Sequence, residues 1–273
     1  MNDTMTHAHA LAPVAHASAD SLFDAHGRCI PGNLAAPAHS RTRRYFSLVQ
    51  PELNHANIHA RLSLHLDIGR ISPDEFTRRA QVILQQLESD PQTRLITDGV
   101  HVPFMLPQAN YADYGSALDE TYLPAVQHAF KARLPQYDFV NHHPGNLANK
   151  LSVVPGTRHE QLLQAMRDGP LVGYFFPCLT EYSVPAAIER VSVLPPQFLL
   201  AGGFDTSAAL IGSPDLLLRT SGYPPLLWLA ALQGEKPQAG NHFEAYGYNL
   251  TFNRRVHFGQ AAESWASGLV VLG

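Results

Sequence analysis

Cysteine is scarce in this 273-residue chain: only Cys29 and Cys178 occur. That excludes a disulfide framework and the paired spacing of a structural zinc site, leaving room for one bridge at most. A reducing, cytoplasmic compartment is therefore expected. Charge is also sparse, at 15% of residues, and the formal net charge is −4. No positive field concentrates nucleic acid or an anionic membrane surface, so neither is an expected partner. Long apolar runs are missing as well. The strongest, Leu226-Leu227-Trp228-Leu229-Ala230-Ala231-Leu232, falls far short of the ~20 residues that span a bilayer. The opening Met1-Asn2-Asp3 lacks the basic cluster and apolar core of a secretory signal. Neither a Gly-x-Ser-x-Gly nucleophile elbow nor a phosphate-loop lysine occurs.

What is present is apolar bulk. Hydrophobic residues make up 45% of the chain, enough for a sizeable core. Residues 1–20, rich in Ala, His, Thr and Ser, carry no hydrophobic periodicity and read as a disordered tail. Its His7, His9 and His16 could capture a metal, but without fixed geometry. Residues 21–273 read as one mixed α/β domain, with antiparallel N-terminal strands followed by β-then-α units and helices packed on the sheet.

The N-terminal strand is expected at 56–67. There Ile58, Ala60, Leu62, Leu64 and Leu66 alternate with His59, Arg61, Ser63, His65 and Asp67, and 45–49 is its expected partner. The polar face also contains a His-x-Asp pair, His65 and Asp67, of the kind found in an iron-binding facial triad. Ser72-Pro73-Asp74-Glu75 is the clearest helix start, combining an N-cap Ser, Pro at the first position and a capping-box Glu; Asp90-Pro91 ends that helix. Strands are then expected near 94–97, 137–141, 171–176 and 197–201. Helices are expected at 117–133, broken or kinked by Pro124, and at 157–168, 183–191 and 205–212. The apolar 224–232 reads as a buried helix, 234–241 as a loop, 246–252 as a strand and 261–266 as a short helix.

In a parallel α/β sheet, ligands gather beyond the carboxyl ends of the strands, and here those ends are polar. Asp98, His101, His142, His143 and Glu181 are the expected catalytic residues, with Asp205 beside them. His101, His142 and His143 would ligate a divalent ion such as zinc, which lowers the pKa of bound water. Without metal, a His oriented by a carboxylate is a general base near neutral pH. Gly202 and Gly203 before Asp205-Thr206 permit close backbone approach at a helix N-terminus, so all four, with Arg219, are expected substrate contacts; a plain N-cap is the leading role for Asp205 or Thr206. Cys178 shows no neighbouring base and reads as a buried thiol. His242, Glu244 and His257 form a looser group, and Arg41-Thr42-Arg43-Arg44 forms an anion-gripping cluster or a solvated turn.

The nine residues 214–222, Pro-Asp-Leu-Leu-Leu-Arg-Thr-Ser-Gly, resemble the diphosphate-binding segment of cis-prenyltransferases, which implies a diphosphate contact for Arg219. The likeness stops there. Tyr223-Pro224-Pro225 replaces the family's acidic and basic positions, and its Asp-Gly-Asn-Gly-Arg start motif is missing, so membership does not follow.

The expectation is a hydrolase-like or lyase-like enzyme for a small polar substrate, using His and carboxylate groups, alone or with a divalent metal. The alternative is a noncatalytic binding or assembly protein, a homo-oligomer joined through the aromatic segments 223–228 and 246–252.

Overall fold

A computed structural model describes residues 21–39, 45–143 and 145–273. The expected tail with its three histidines, and the cluster from Arg41 to Arg44, lie outside the described residues. In chain order the elements are α1 (His55–His65), α2 (Pro73–Ser89), a 3-10 turn (Arg94–Asp98), β1 (Val102–Leu106) and α3 (Tyr114–Ala117). One π-helical turn (Leu118–Tyr122) joins α3 to α4 (Leu123–Arg133). Then follow β2 (Phe139–Asn141), β3 (Ser152–Val153), α5 (His159–Asp168), β4 (Leu171–Thr180), α6 (Val184–Val193), β5 (Leu199–Leu200) and α7 (Gly203–Gly212). The C-terminal third is strands: β6 (Leu226–Trp228), β7 (Leu232–Gln233), β8 (Ala239–Tyr246), β9 (Asn249–Val256) and β10 (Trp265–Leu272).

Eight strands form one mixed sheet, seven in the order β1-β4-β10-β6-β8-β9-β2 and β5 off that path on β10, while β3 and β7 pair apart. The N-terminal half of β10 pairs in parallel with β6, and its C-terminal half pairs antiparallel with β5. Helices pack against the sheet. The most deeply placed is α7, all ten of whose residues are buried, against β1, α1 and α4. β4 is buried from Leu171 to Leu179, as a central strand covered on both faces must be. The expected fold class is therefore the observed one.

Several elements fall where the sequence places them. The Ser72 hydroxyl accepts from Glu75 N at 3.1 Å and caps α2, which buries Phe76, Ala80, Ile83 and Leu87. The helices expected at 117–133, 157–168, 183–191 and 205–212 are the α3–α4 run, α5, α6 and α7; Pro124 comes just after the π-helical turn, where the regular i→i−4 ladder is already broken. The strands expected at 137–141, 171–176 and 197–201 are β2, β4 and β5.

Others do not. The alternating stretch 56–67 is mostly helix. Every second member of its apolar set, Ile58, Leu62 and Leu66, also recurs at four residues, and these three are buried while Leu64 is 75% exposed. With it go the hairpin and the facial face of His59, Arg61, His65 and Asp67; segment 45–49 makes only one bridge, Phe46 to Tyr223. Residues 94–97 belong to the 3-10 turn. The apolar 224–232 holds the short central strand β6, since a run buried on all sides suits a strand as well as a helix. β8 starts within the expected loop. The expected strand 246–252 contains a two-residue turn at Gly247 and Tyr248, both with positive φ, that joins β8 to β9. No helix forms at 261–266, where β10 begins. Pairing is mainly antiparallel: only β10–β6 and β2–β9 run parallel.

Candidate functional site

A cavity of about 460 Å³ lies where four segments meet: the turn 24–28, the extended stretch 46–50, residues 97–101 and the far end of β4. Asp24 builds the first wall, its Oδ1 accepting from His26 N at 2.9 Å and Arg28 N at 3.0 Å. Gly27 then approaches the opposite wall so closely that a Cβ on it would stand 2.3 Å from Gly99 N, with its own φ at +69°. Only glycine brings His26 and Arg28 this near to Asp98 and His101. Arg28, 7% exposed, donates from Nε to Thr180 O and Oγ1 at 3.2 and 3.0 Å and from Nη2 to Thr180 O at 3.0 Å and to His39 O. Its acceptors are neutral oxygens, so the cation keeps its charge for the cleft.

His101 is held from both sides. Gln50 accepts from His101 N and donates to His101 O, each at 2.9 Å, and the ring lies against Tyr174 and Phe176. His101 Nδ1 donates to Gly99 O at 2.8 Å, which leaves Nε2 as the acceptor nitrogen. No partner for Nε2 exists among the described residues. Burial holds the imidazole below its ordinary pKa, so it is neutral at physiological pH. Cys178 lines the same cleft, but burial pushes its thiol far above the usual range and no base activates it. It and Cys29 are free and buried, joined through Cys29 N donating to Cys178 O at 3.0 Å. Arg219 stays outside the cleft and braces it, donating from Nη1 to Ser47 O at 2.6 Å and to Ser47 Oγ.

Of the expected catalytic residues, Asp98 and His101 therefore line one cavity, and the others do not join them. Glu181 follows Thr180 but does not line the cleft. It is buried in a left-handed conformation (φ 63°), with His39 Nδ1 at 3.8 Å from its Oε2. His142 and His143 follow β2, at the opposite edge of the sheet from β1. Five strands intervene, roughly 29 Å at the usual strand spacing. His143 instead shares a shallow depression with Lys150, Asn241 and Arg254. The donor set His101, His142 and His143 is thus not assembled, because the sheet is not a run of adjacent parallel strands. Among the described residues no three His, Cys, Asp or Glu side chains gather as metal ligands.

The start of α7 is closed. Gly202, Gly203, Asp205 and Thr206 are buried, and the helix N-terminus is filled from within the protein. The Asp205 carboxylate accepts from Gly202 N at 2.9 Å and from Thr206 N at 3.0 Å. The Tyr114 hydroxyl accepts from Gly203 N at 2.8 Å and Phe204 N at 3.3 Å, and lies 3.0 Å from His159 Nε2. His159 Nδ1 meets Leu200 O at 3.3 Å, so the tyrosine donates to Nε2 of a neutral ring. Burial holds this imidazole low and raises the Tyr114 and Asp205 groups. These groups are engaged within the core, and the N-cap is Gly202 rather than Asp205 or Thr206; Asp205 stands three residues on, its carboxylate reaching back to the Gly202 N–H.

The loose group near the C-terminus does converge. His242 and His257 both meet the Trp228 indole edge-on, at 4.9 and 5.7 Å between ring centres, and His242 Nε2 lies 3.4 Å from Glu244 Oε2. Sequence reasoning missed Asp24, His26, Arg28 and Gln50 in the cleft. The one local signal was Asp24-Ala25-His26-Gly27-Arg28, an Asp-anchored glycine turn. Set beside known proteins, the chain matches no family model, no curated protein and no solved structure. The site rests on its own chemistry.

Proposed function

We propose that the chain is an enzyme acting on a small polar molecule in the cleft of Asp24, Arg28, Asp98 and His101, by acid-base chemistry of the hydrolase or lyase kind. The observation that carries this reading is His101: a neutral imidazole, its tautomer set by Gly99 O, its backbone gripped by Gln50, and Nε2 without a partner. In this reading Nε2 takes the proton from a bound water or from an acidic carbon of the substrate, Asp98 at the rim exchanges it with solvent, and Arg28 holds a polar oxygen of the substrate. Removing a positioned general base costs about 10²–10⁴-fold in rate.

The test pairs a structural and a kinetic measurement. Nitrogen-detected NMR of the His101 ring is expected to show the Nδ1–H tautomer and a pKa below that of free histidine. Small p-nitrophenyl esters and β-hydroxy carboxylates serve as substrate panels. His101→Gln is expected to abolish turnover of whichever panel reacts; an Nε2–H tautomer, or unchanged turnover in the variant, would falsify the proposal.

A second reading, assembly through aromatic surface, draws on Tyr45 and Tyr223, 57% and 56% exposed, whose rings meet each other and Phe46 at the cleft's edge. The Trp228 and Phe252 parts of the expected interface are buried and unavailable. Sedimentation of the wild type beside a Tyr45→Ser, Tyr223→Ser variant decides it: an oligomer lost in the variant supports assembly, and a monomer in both removes it.

A further inference from the structure

A second cavity, about 290 Å³, lies between α6 and the strands β7 and β8, separate from the His101 cleft and sharing none of its residues. Its walls are almost wholly apolar: Val184, Pro185 and Ile188 on one side, Leu229, Leu232 and Pro237 on the other, with the Trp228 indole among them. The size stands at the lower end of small-molecule pockets, about 300 Å³.

Two features give this groove a sign. Glu189 is the one formally charged residue on its walls. Its carboxylate is pinned at the rim by Ala35 N on Oε1 at 2.8 Å and Ala36 N on Oε2 at 3.0 Å. These backbone donors hold it below the usual carboxylate range, and no cationic side chain pairs with it among the described residues. The other titratable wall residue, His257, accepts at Nδ1 from Gly259 N at 3.1 Å and is kept neutral by burial. The groove is thus an apolar slot with a fixed anion at its mouth. That pairing favours a cation with a hydrocarbon body, because the hydrocarbon leaves water while the charge stays at the rim beside the carboxylate. A carboxylate ligand would meet repulsion.

We infer that the groove between α6 and β7–β8 binds alkylammonium compounds, with the hydrocarbon in the slot and the ammonium at Glu189. The inference is independent of the cleft reading.

The two tryptophans of the chain, Trp228 and Trp265, meet edge-on at 5.1 Å, so indole fluorescence reports directly on the groove. Full-length protein is titrated with n-hexylammonium chloride, sodium hexanoate and hexan-1-ol. Hexylammonium is expected to give a saturable change, with the other two about two- to fivefold weaker, the scale of one exposed charge pair. Glu189→Gln, which keeps a carbonyl acceptor for one of the two backbone donors, is expected to erase the preference for ammonium over alcohol. Ile188→Lys, on the partly exposed face of α6, adds a like charge and is expected to abolish ammonium binding with unchanged unfolding. His101→Gln is expected to bind hexylammonium as the wild type does. Equal affinity for all three probes, no saturable response to any, or undiminished ammonium binding in both groove variants overturns the inference.

Discussion

Gly202 shows how much one missing methyl group can decide. A Cβ there would stand 2.5 Å from both Cε1 and Nε2 of His159 and 3.0 Å from the Tyr114 hydroxyl. Gly202→Ala is therefore expected to destabilise the fold by about 1–3 kcal/mol through overpacking, read as a lower denaturant midpoint at unchanged slope. Tyr114→Phe attacks the same network differently. It strands the Gly203 and Phe204 N–H groups and His159 Nε2, at a cost of about 1–3 kcal/mol, with no change in volume to blame. Sequence reading found the glycines and Asp205, which are local, but gave them to a ligand. Tyr114 lies 89 residues from Gly203, and no short-range pattern announces that its hydroxyl fills the helix end. Asp98 and His101 were picked as the carboxyl end of a strand expected at 94–97; that segment is a 3-10 turn leading into β1, so the pair was found on a premise the fold does not share. Arg28 was not, since its site exists only once the N-terminal turn crosses to Thr180, 152 residues away.

At the scale of the element, α1 carries the sharpest contrast. As a strand, Leu62 and Leu64 would share one buried face; as a helix they diverge, and they are 0% and 75% exposed. Leu62→Ala is expected to cost about 2–5 kcal/mol and Leu64→Ala within about 0.5 kcal/mol, measured by chemical unfolding. Equal penalties would contradict the helix. The ambiguity was physical. Steps of two and of four residues coincide at every second position, and the Asn54 cap, whose side chain accepts from Asn57 N at 3.0 Å, was the only remaining helix signal. Where capping and periodicity agreed, as in α2 and α6, capped by the Ser72 and Ser183 side chains, position was legible. Where an apolar run carried neither, as around β6, burial on all sides erased the pattern.

Across the whole molecule, burial holds seven imidazoles below their ordinary pKa: His55, His65, His101, His143, His159, His242 and His257. In the unfolded chain each titrates near ~6.5. Above that value both states are neutral and stability is full. As the pH falls through ~6.5 toward the lower native values, the unfolded chain takes up protons that the native one refuses, and stability is lost. Asp113 and Glu189, held low by backbone donors, extend the loss into the carboxylate range, while Asp205, raised by burial, opposes it. Thermal midpoints are expected to be level from pH 8 to 7 and to drop steadily from about 6.5 to 5; a flat profile over the second interval contradicts the burial of these rings. The mixed sheet was legible as a class, but its strand order was not, because alternation and apolarity say nothing about which strands become neighbours. That order places β10 between β4 on one side and β6 and β5 on the other. A nascent chain that has left the ribosome only through β9 accordingly holds two sheet fragments with open edges facing each other, β1–β4 and β6–β8–β9–β2. The strand that welds them is made after both, so the seam between the halves stays open until β10 arrives.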